Sequence, residues 1–163
     1  MTTRYLIDKS ALARRTKPAI REVVDPLHLR GQLPITGAVK IEMMHSARGK
    51  AEAARLAGFL GAFDYLHCPD EVWDRALQVQ QLALQAGFHH APSMADLLIS
   101  ATAERYGAVV LHYDGDFETI ASLTRQPHRW VVTPRHRRLT GGRRALSGCS
   151  TFLTQLLVPQ GFG

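Results

Sequence analysis

Short apolar runs alternate with longer amphipathic stretches along most of this chain. The runs "RYLI" at 4–7, "LPIT" at 33–36, "DYLHC" at 64–68, "AVVLH" at 108–112 and "RWVVT" at 129–133 have the length and the branched or aromatic content of strands. Between them the spacing of apolar positions predicts helices over 9–16, 18–31 with a break near Pro26, 37–48, 50–61, 70–86, 93–106 and 116–124. Strands and helices in alternation are the signature of an α/β domain, a central parallel sheet of about five strands covered by helices. That domain spans residues 1–134. After Pro134 the pattern gives way to "RHRRLTGGRRALSGCSTFLTQLLVPQGFG", rich in Arg and Gly, with one short apolar patch at 152–158. Residues 135–163 are read as a basic tail, mobile or loosely docked.

Composition narrows the class. With 163 residues, 45% hydrophobic and 21% charged, the chain has the make-up of a single folded domain with a full core. No run approaches the roughly 20 apolar residues of a membrane helix, and the start "MTTRYLIDKSALARR" lacks the apolar centre of a signal peptide, so the expected location is the cytoplasm. Cys68 and Cys149 are expected to be free thiols, too few and too far apart for a disulfide framework or a zinc site. The formal charge is +6, but residues 1–134 hold 15 basic and 14 acidic residues. Arg135, Arg137, Arg138, Arg143 and Arg144 supply the rest. The body is nearly neutral and the tail is basic.

The acids fall where chemistry is done in parallel α/β sheets, at the carboxyl ends of strands. Asp8 follows the first strand, and Asp114 and Asp116 follow the fourth; adjacent strands would place them in one cleft. Glu42 lies one to two turns into the helix after the second strand, and Asp96 lies in the first turn of the helix before the fourth. Ordinary readings compete. Asp114 or Asp116 suits a helix cap, and "SMAD" at 93–96 suits a capping box. One cap accounts for one aspartate, however, and none of the acids has a cation one turn further on to neutralise it. Two carboxylates at about 4 Å repel by ~4 kcal/mol at an effective dielectric near 20, so a cluster calls for a cation or a shared proton. An all-oxygen set suits Mg²⁺ or Mn²⁺ better than zinc. The glycine between Asp114 and Asp116 is read as what lets the chain turn tightly at the strand end.

Together "YLIDKSAL", the helical glutamate of "VKIEMM" and "HAPSMADLLISATAERYGAVVLHYDGDFETIA" resemble a PIN-domain ribonuclease, specifically the VapC toxins of bacterial toxin-antitoxin pairs. The resemblance covers about residues 3–134. It implies the three-layer PIN-like fold and an endoribonuclease that cuts RNA with Mg²⁺, is silenced by a VapB-type antitoxin and forms a homodimer. Asp8, Glu42, Asp96 and Asp114 match the family's acidic quartet, with Asp116 as an accessory fifth acid and Ser10 as the small hydroxyl residue near the first aspartate. Asp8, Asp96 and Asp114 are the expected metal ligands, and Glu42 is expected to orient a water or hold a second ion. Lys9 matches a tolerant position and receives no catalytic task.

Other features weigh less. His67 and Cys68 with "FHHA" at 88–91 offer a soft-metal site, although loop histidines more often lie at the surface. His112 and Tyr113 flank the acids as strand end or cleft wall. Arg14, Arg15 and Lys17 are placed to meet RNA phosphates or solvent. A phospho-accepting receiver domain lacks support, because "MTTRYLID" has no acidic pair before its aspartate and "WVVTP" has no lysine. A Rossmann domain is disfavoured by the absence of a Gly-rich first turn. A PIN fold kept as a non-catalytic RNA- or protein-binding module is the remaining alternative.

Overall fold

A computed structural model describes residues 2–88, 90 and 92–133. The reading of residues 135–163 as a mobile or docked tail, the thiol state of Cys149 and the place of His89 lie outside the described residues. The chain runs β1 (Tyr5–Ile7), α1 (Lys9–Leu12), α2 (Pro18–Leu29), β2 (Ile35–Thr36), α3 (Gly37–His45), α4 (Lys50–Gly61), β3 (Tyr65–Leu66), α5 (Asp70–Gln85), α6 (Met94–Arg105), β4 (Val109–His112), α7 (Asp116–Thr124) and β5 (His128–Trp130). All the strand pairings are parallel. β1, β4 and β5 form one ladder in that order, and β2 pairs with β3. Two backbone bonds join the ladders, from Tyr5 N to Gln32 O at 2.8 Å and from Ile7 N to Pro34 O at 3.3 Å. The spatial order across the molecule is therefore β3, β2, β1, β4, β5.

β1 and β4 are flanked on both edges, and their residues show it. Leu6, Ile7, Val110 and Leu111 are all fully buried, the continuous apolar pattern of strands covered on both faces. Around them pack Ile99 and Ala103 of α6, Phe117 and Ile120 of α7, and Ile20 and Val24 of α2. α5 lies chiefly against α6, its Val72, Ala76, Val79 and Ala83 turned inward at helical spacing.

Most elements end within a few residues of the sequence expectation, and three of the differences have a clear local reason. α2 runs through Pro26 without a break. The proline sits in the last turn, where only one intrahelical bond is forfeited, and the end is sealed by Gln32 N donating to Leu27 O at 2.9 Å across Gly31 at φ 64°. The first helix stops at Leu12 rather than 16, the chain continuing in turns to Thr16. The fifth strand occupies 128–130 rather than 129–133, because β4 offers no partner beyond His112; Val131 N makes the last bond, to His112 O at 2.8 Å.

α6 passes into β4 through Gly107, which sits at φ 60° in the left-handed region while Ala108 N donates to Ala103 O at 2.9 Å. This turn sets the spacing between Asp96 and Asp114. A side chain here is strained, so Gly107→Ala is expected to cost about 1–2 kcal/mol, read as a lowered urea midpoint with an unchanged slope.

Candidate active site

Asp8 is the first residue beyond β1 and caps α1, its Oδ2 accepting from Ser10 N at 2.7 Å. It is 4% exposed. Ser10 ties three parts of the cleft together. Its N holds Asp8, its carbonyl accepts from Arg14 Nη1 at 2.7 Å, and its Oγ accepts from Tyr113 N at 2.8 Å. The last of these bonds links α1 to the end of β4, next to Asp114.

α6 opens with the capping box expected from "SMAD": Asp96 N donates to Ser93 Oγ at 3.2 Å and Ser93 N donates to Asp96 Oδ2 at 2.8 Å. Capping and the cleft are not alternatives for Asp96, since one oxygen suffices for the cap. At the end of β4, Asp114 Oδ1 accepts from Asp116 N at 3.2 Å. Glu42 stands half-buried on α3, whose N-cap is Thr36 of β2. Asp8, Glu42, Asp96, Asp114 and Asp116 all line one cleft of about 330 Å³, together with Lys9, Ser10, Ala13, Arg14 and Ser93. All five acids anticipated from the sequence are thus brought together.

Gly115 departs from expectation. It lies at φ −72°, ψ −15°, an ordinary right-handed conformation, and a Cβ there would meet nothing within 4 Å. The turn is shaped by the Asp114 carboxylate bonding forward to Asp116, a role glycine does not supply.

Crowded and partly dehydrated, Asp8, Glu42, Asp96 and Asp116 are harder to ionise. Burial raises the pKa of Asp8 above the usual carboxylate value against the bonds from Ser10, and the charge of Asp96 adds to the rise. Asp96 is likewise raised by burial, opposed by Ser93 and reinforced by Asp114. Glu42 is raised by burial, partly offset by Lys9 and pushed further by Asp8 and Asp96. Asp116 is raised by burial and by Asp114 and Asp96. Among the described residues, three ion pairs fall within 4.0 Å: Arg4–Asp64, Arg15–Asp25 and Arg75–Glu104. None includes a cleft acid. Arg15 is therefore engaged away from the cleft, whereas Arg14 lines it.

Behind the acids lies a histidine pair. His112 is fully buried, and its Nε2 lies 2.9 Å from His128 Nδ1. Burial, and then His128, lower its pKa from 6.5 to about 4, so the ring is neutral near pH 7. Its Nδ1 accepts from Asp114 N at 3.2 Å, which puts the ring proton on Nε2 as donor to His128. The ring packs against Phe117 and Trp130. Sequence reading missed the tie from His112 to Asp114, and it gave Lys9 no task although Lys9 lines the cleft; its adjacency to Asp8 was the available signal.

Beside the cleft runs an apolar groove of about 520 Å³, lined by Ala38, Ile41, Tyr65, Trp73, Met94 and Leu98 among others, with Glu42 shared between the two. Ile41 and Met94 are 72% and 70% exposed. His67 and Cys68 also line it, Cys68 Sγ lying 3.3 Å from Thr102 Oγ1. Among the described residues no three His, Cys, Asp or Glu groups converge closely enough to chelate an ion, so the soft-metal reading of His67 and Cys68 finds no support there. Nor is any described helix long and apolar enough to cross a membrane.

A parallel sheet with acids gathered at its strand ends defines a class, and comparison agrees: the PIN domain family matches residues 5–123, and the chain belongs to it. Within that family it groups with the VapC proteins. It is 45% identical over 135 residues to Ribonuclease VapC21 of Mycobacterium tuberculosis, covering 82% of this chain and 98% of the relative. It is 41% identical over 132 residues to Ribonuclease VapC51 of the same organism, covering 81% and 96%. Among solved structures, DNA-bound VapBC from Salmonella typhimurium matches the fold with a TM-score of 0.65 at 16% identity, over 80% of this chain and 100% of that one. FitAB bound to a DNA fragment gives 0.64 at 19%, over 82% and 99%.

Two outcomes follow for the cleft. A carboxyl whose folded pKa is raised binds its proton more tightly when folded, so its contribution is favourable at acid pH and is lost as pH rises through the folded value. Metal-free Asp8→Asn, which keeps the cap, is accordingly expected to melt above the parent at pH 8, with the gap closing toward pH 4 in a thermal-melt series. Gly115→Ala is expected to stay within about 1 kcal/mol of the parent by chemical denaturation, unlike Gly107→Ala.

Proposed function

We propose that this chain is a divalent-cation-dependent endoribonuclease of the VapC toxin type, restrained by a VapB-type antitoxin. The observation that carries the reading is the meeting of Asp8, Glu42, Asp96, Asp114 and Asp116 in one cleft at the strand ends. Relatives named as ribonucleases at up to 45% identity support it.

The cleft fits a hard cation such as Mg²⁺ or Mn²⁺ in donor type, in burial and in charge. Its metal-binding candidates are all carboxylates, and the raised pKa values of Asp8, Asp96 and Glu42 mark a demand for positive charge. Mg²⁺ keeps several waters and takes one or two carboxylates, which agrees with acids that surround a space without three closing on a point. Asp8 and Asp96 would hold the ion directly and Asp114 through a bound water. When bound, it neutralises phosphodiester charge and lowers the pKa of water to near 7.

The chain's own groups supply orientation. Ser10 N fixes Asp8 and Ser93 N fixes Asp96, so neither carboxylate rotates freely. His112 holds the backbone of Asp114. Glu42, half-buried and with its pKa raised, is suited to orient an attacking water and draw its proton. Asp116 assists from the opening of α7, and Lys9 and Arg14 offer N–H donors to phosphate oxygens along the cleft wall.

The antitoxin reading rests on the solved neighbours being toxin–antitoxin complexes and on the groove beside Glu42. An apolar segment seated on Ile41, Trp73 and Met94 would carry a neighbouring arginine to the acids and satisfy their charge. The homodimer belongs to the same proposal, and exposed Leu77 and Leu84 on α5 are available to it.

RNA cleavage is expected to require added Mg²⁺ or Mn²⁺ and to stop with EDTA. Asp8→Asn and Asp96→Asn are each expected to lower the rate by at least ~10²-fold, as loss of a principal charge-stabilising group does. Circular dichroism should show the fold retained. Cleavage at the parent rate by either variant would remove the acid cleft from the reaction.

A further inference from the structure

The rim of the acid cleft has a chemistry of its own. Arg14 lines the cleft with the acids, yet the ion pairs among the described residues leave it out, whereas its neighbour Arg15 is taken up by Asp25 at 2.6 Å. The Arg14 guanidinium is nonetheless held in place. Its Nη1 donates to Ser10 O at 2.7 Å, and it lies over the Tyr113 ring, 5.0 Å from the centroid. The remaining N–H donors of the group make no hydrogen bond to the described residues.

Tyr113 is set as firmly. It stands between β4 and Asp114, its N donates to Ser10 Oγ at 2.8 Å, and its ring meets Trp130 edge-on at 5.8 Å. Trp130 closes β5 opposite His112, 4.8 Å from that ring, and its Nε1 donates to Glu118 Oε1 at 2.8 Å. All three side chains, Arg14, Tyr113 and Trp130, are half-buried, so each keeps part of its surface toward solvent. Packing at a cleft wall accounts for the rings. It does not account for a guanidinium tethered beside carboxylates and paired with none of them. A fixed cation with flat rings next to it matches a nucleotide, whose phosphate takes the N–H donors while its base stacks.

We propose that Arg14, Tyr113 and Trp130 form a nucleotide subsite at the rim of the acid cleft, where the guanidinium holds the phosphate next to the scissile one and an unpaired base stacks on the cluster. A base inside a duplex has both faces covered, so the subsite admits only a nucleotide that is out of its helix. The proposal rests on the ribonuclease reading and names what the rim of that site recognises.

The test measures binding by the full chain in EDTA, from low salt upward, of two fluorescently labelled probes of equal length and charge. One is a short single-stranded RNA of mixed sequence, the other the same ribose-phosphate chain without bases. The parent is expected to bind the RNA at least ~10-fold more tightly, the worth of one stacked base. Tyr113→Leu should remove most of that preference by weakening the RNA alone, and Trp130→Leu should reduce it. Tyr113→Phe keeps the ring and should keep the preference, which separates stacking from loss of fold. Arg14→Gln should weaken both probes alike and flatten the plot of log affinity against log salt by about 0.7, one phosphate contact. A preference unchanged in Tyr113→Leu, a slope unchanged in Arg14→Gln, or a parent that does not distinguish the probes overturns the proposal. A parent that prefers the RNA in this way but does not cleave it with Mg²⁺ or Mn²⁺ defeats the ribonuclease reading and leaves the subsite standing.

Discussion

Five carboxylates gathered around one cleft repel one another, and the rest of the domain is arranged to hold them there. The parallel pairing of β1 with β4 sets Asp8 beside the end of β4, and the bond from Tyr113 N to Ser10 Oγ fixes that adjacency. Each acid nearest the centre is then restrained by a backbone N–H rather than by a cation. Ser10 N serves Asp8 and Ser93 N serves Asp96, bonds that favour the ionised form without filling the cleft. They do not overcome burial, which still raises both pKa values. The electrostatic demand is left open, and the cation proposed above would answer it. Had lysines or arginines been paired with these acids, the fold would be more relaxed and the site less receptive.

Much of this was legible because strong local signals coincide with the global arrangement. "VVLHYD" reads as a buried strand ending in an acid, since β4 has neighbours on both sides. "SMAD" reads as a helix start, and in the fold it is both cap and cleft wall. Where the sequence misled, the deciding bond lay outside the residue that carried the signal. Pro26 as a residue type does not announce that α2 will be sealed beyond it through Leu27 and Gln32, nor does the run at 129–133 announce that β5 must end at Trp130 because β4 ends at His112. Gly115 illustrates a subtler error: the residue type suggested special backbone geometry, but the dihedrals are ordinary and the turn belongs to Asp114.

The histidine pair shows why groups that support the acids from behind escape a linear reading. His112 and His128 are 16 positions apart and meet only through the β4–β5 register. Once they meet, the tautomer is set, because an Nδ1 that accepts from Asp114 N leaves Nε2 as donor. The ring acts as a neutral strut between the sheet edge and the loop of Asp114. Its low pKa comes from burial and from His128, whereas its positioning of the loop comes from the bond that Nδ1 accepts from Asp114 N.

The division of charge along the chain completes the logic of the cleft. Under the function proposed above, acids concentrated at strand ends would serve a cation but repel a polyanion, and the two requirements conflict. Placing compensating arginines inside the cleft would neutralise the carboxylates and defeat the first requirement. Set at the rim, as Arg14 is on Tyr113, positive charge stands near the cleft while leaving the acids without an ion-pair partner.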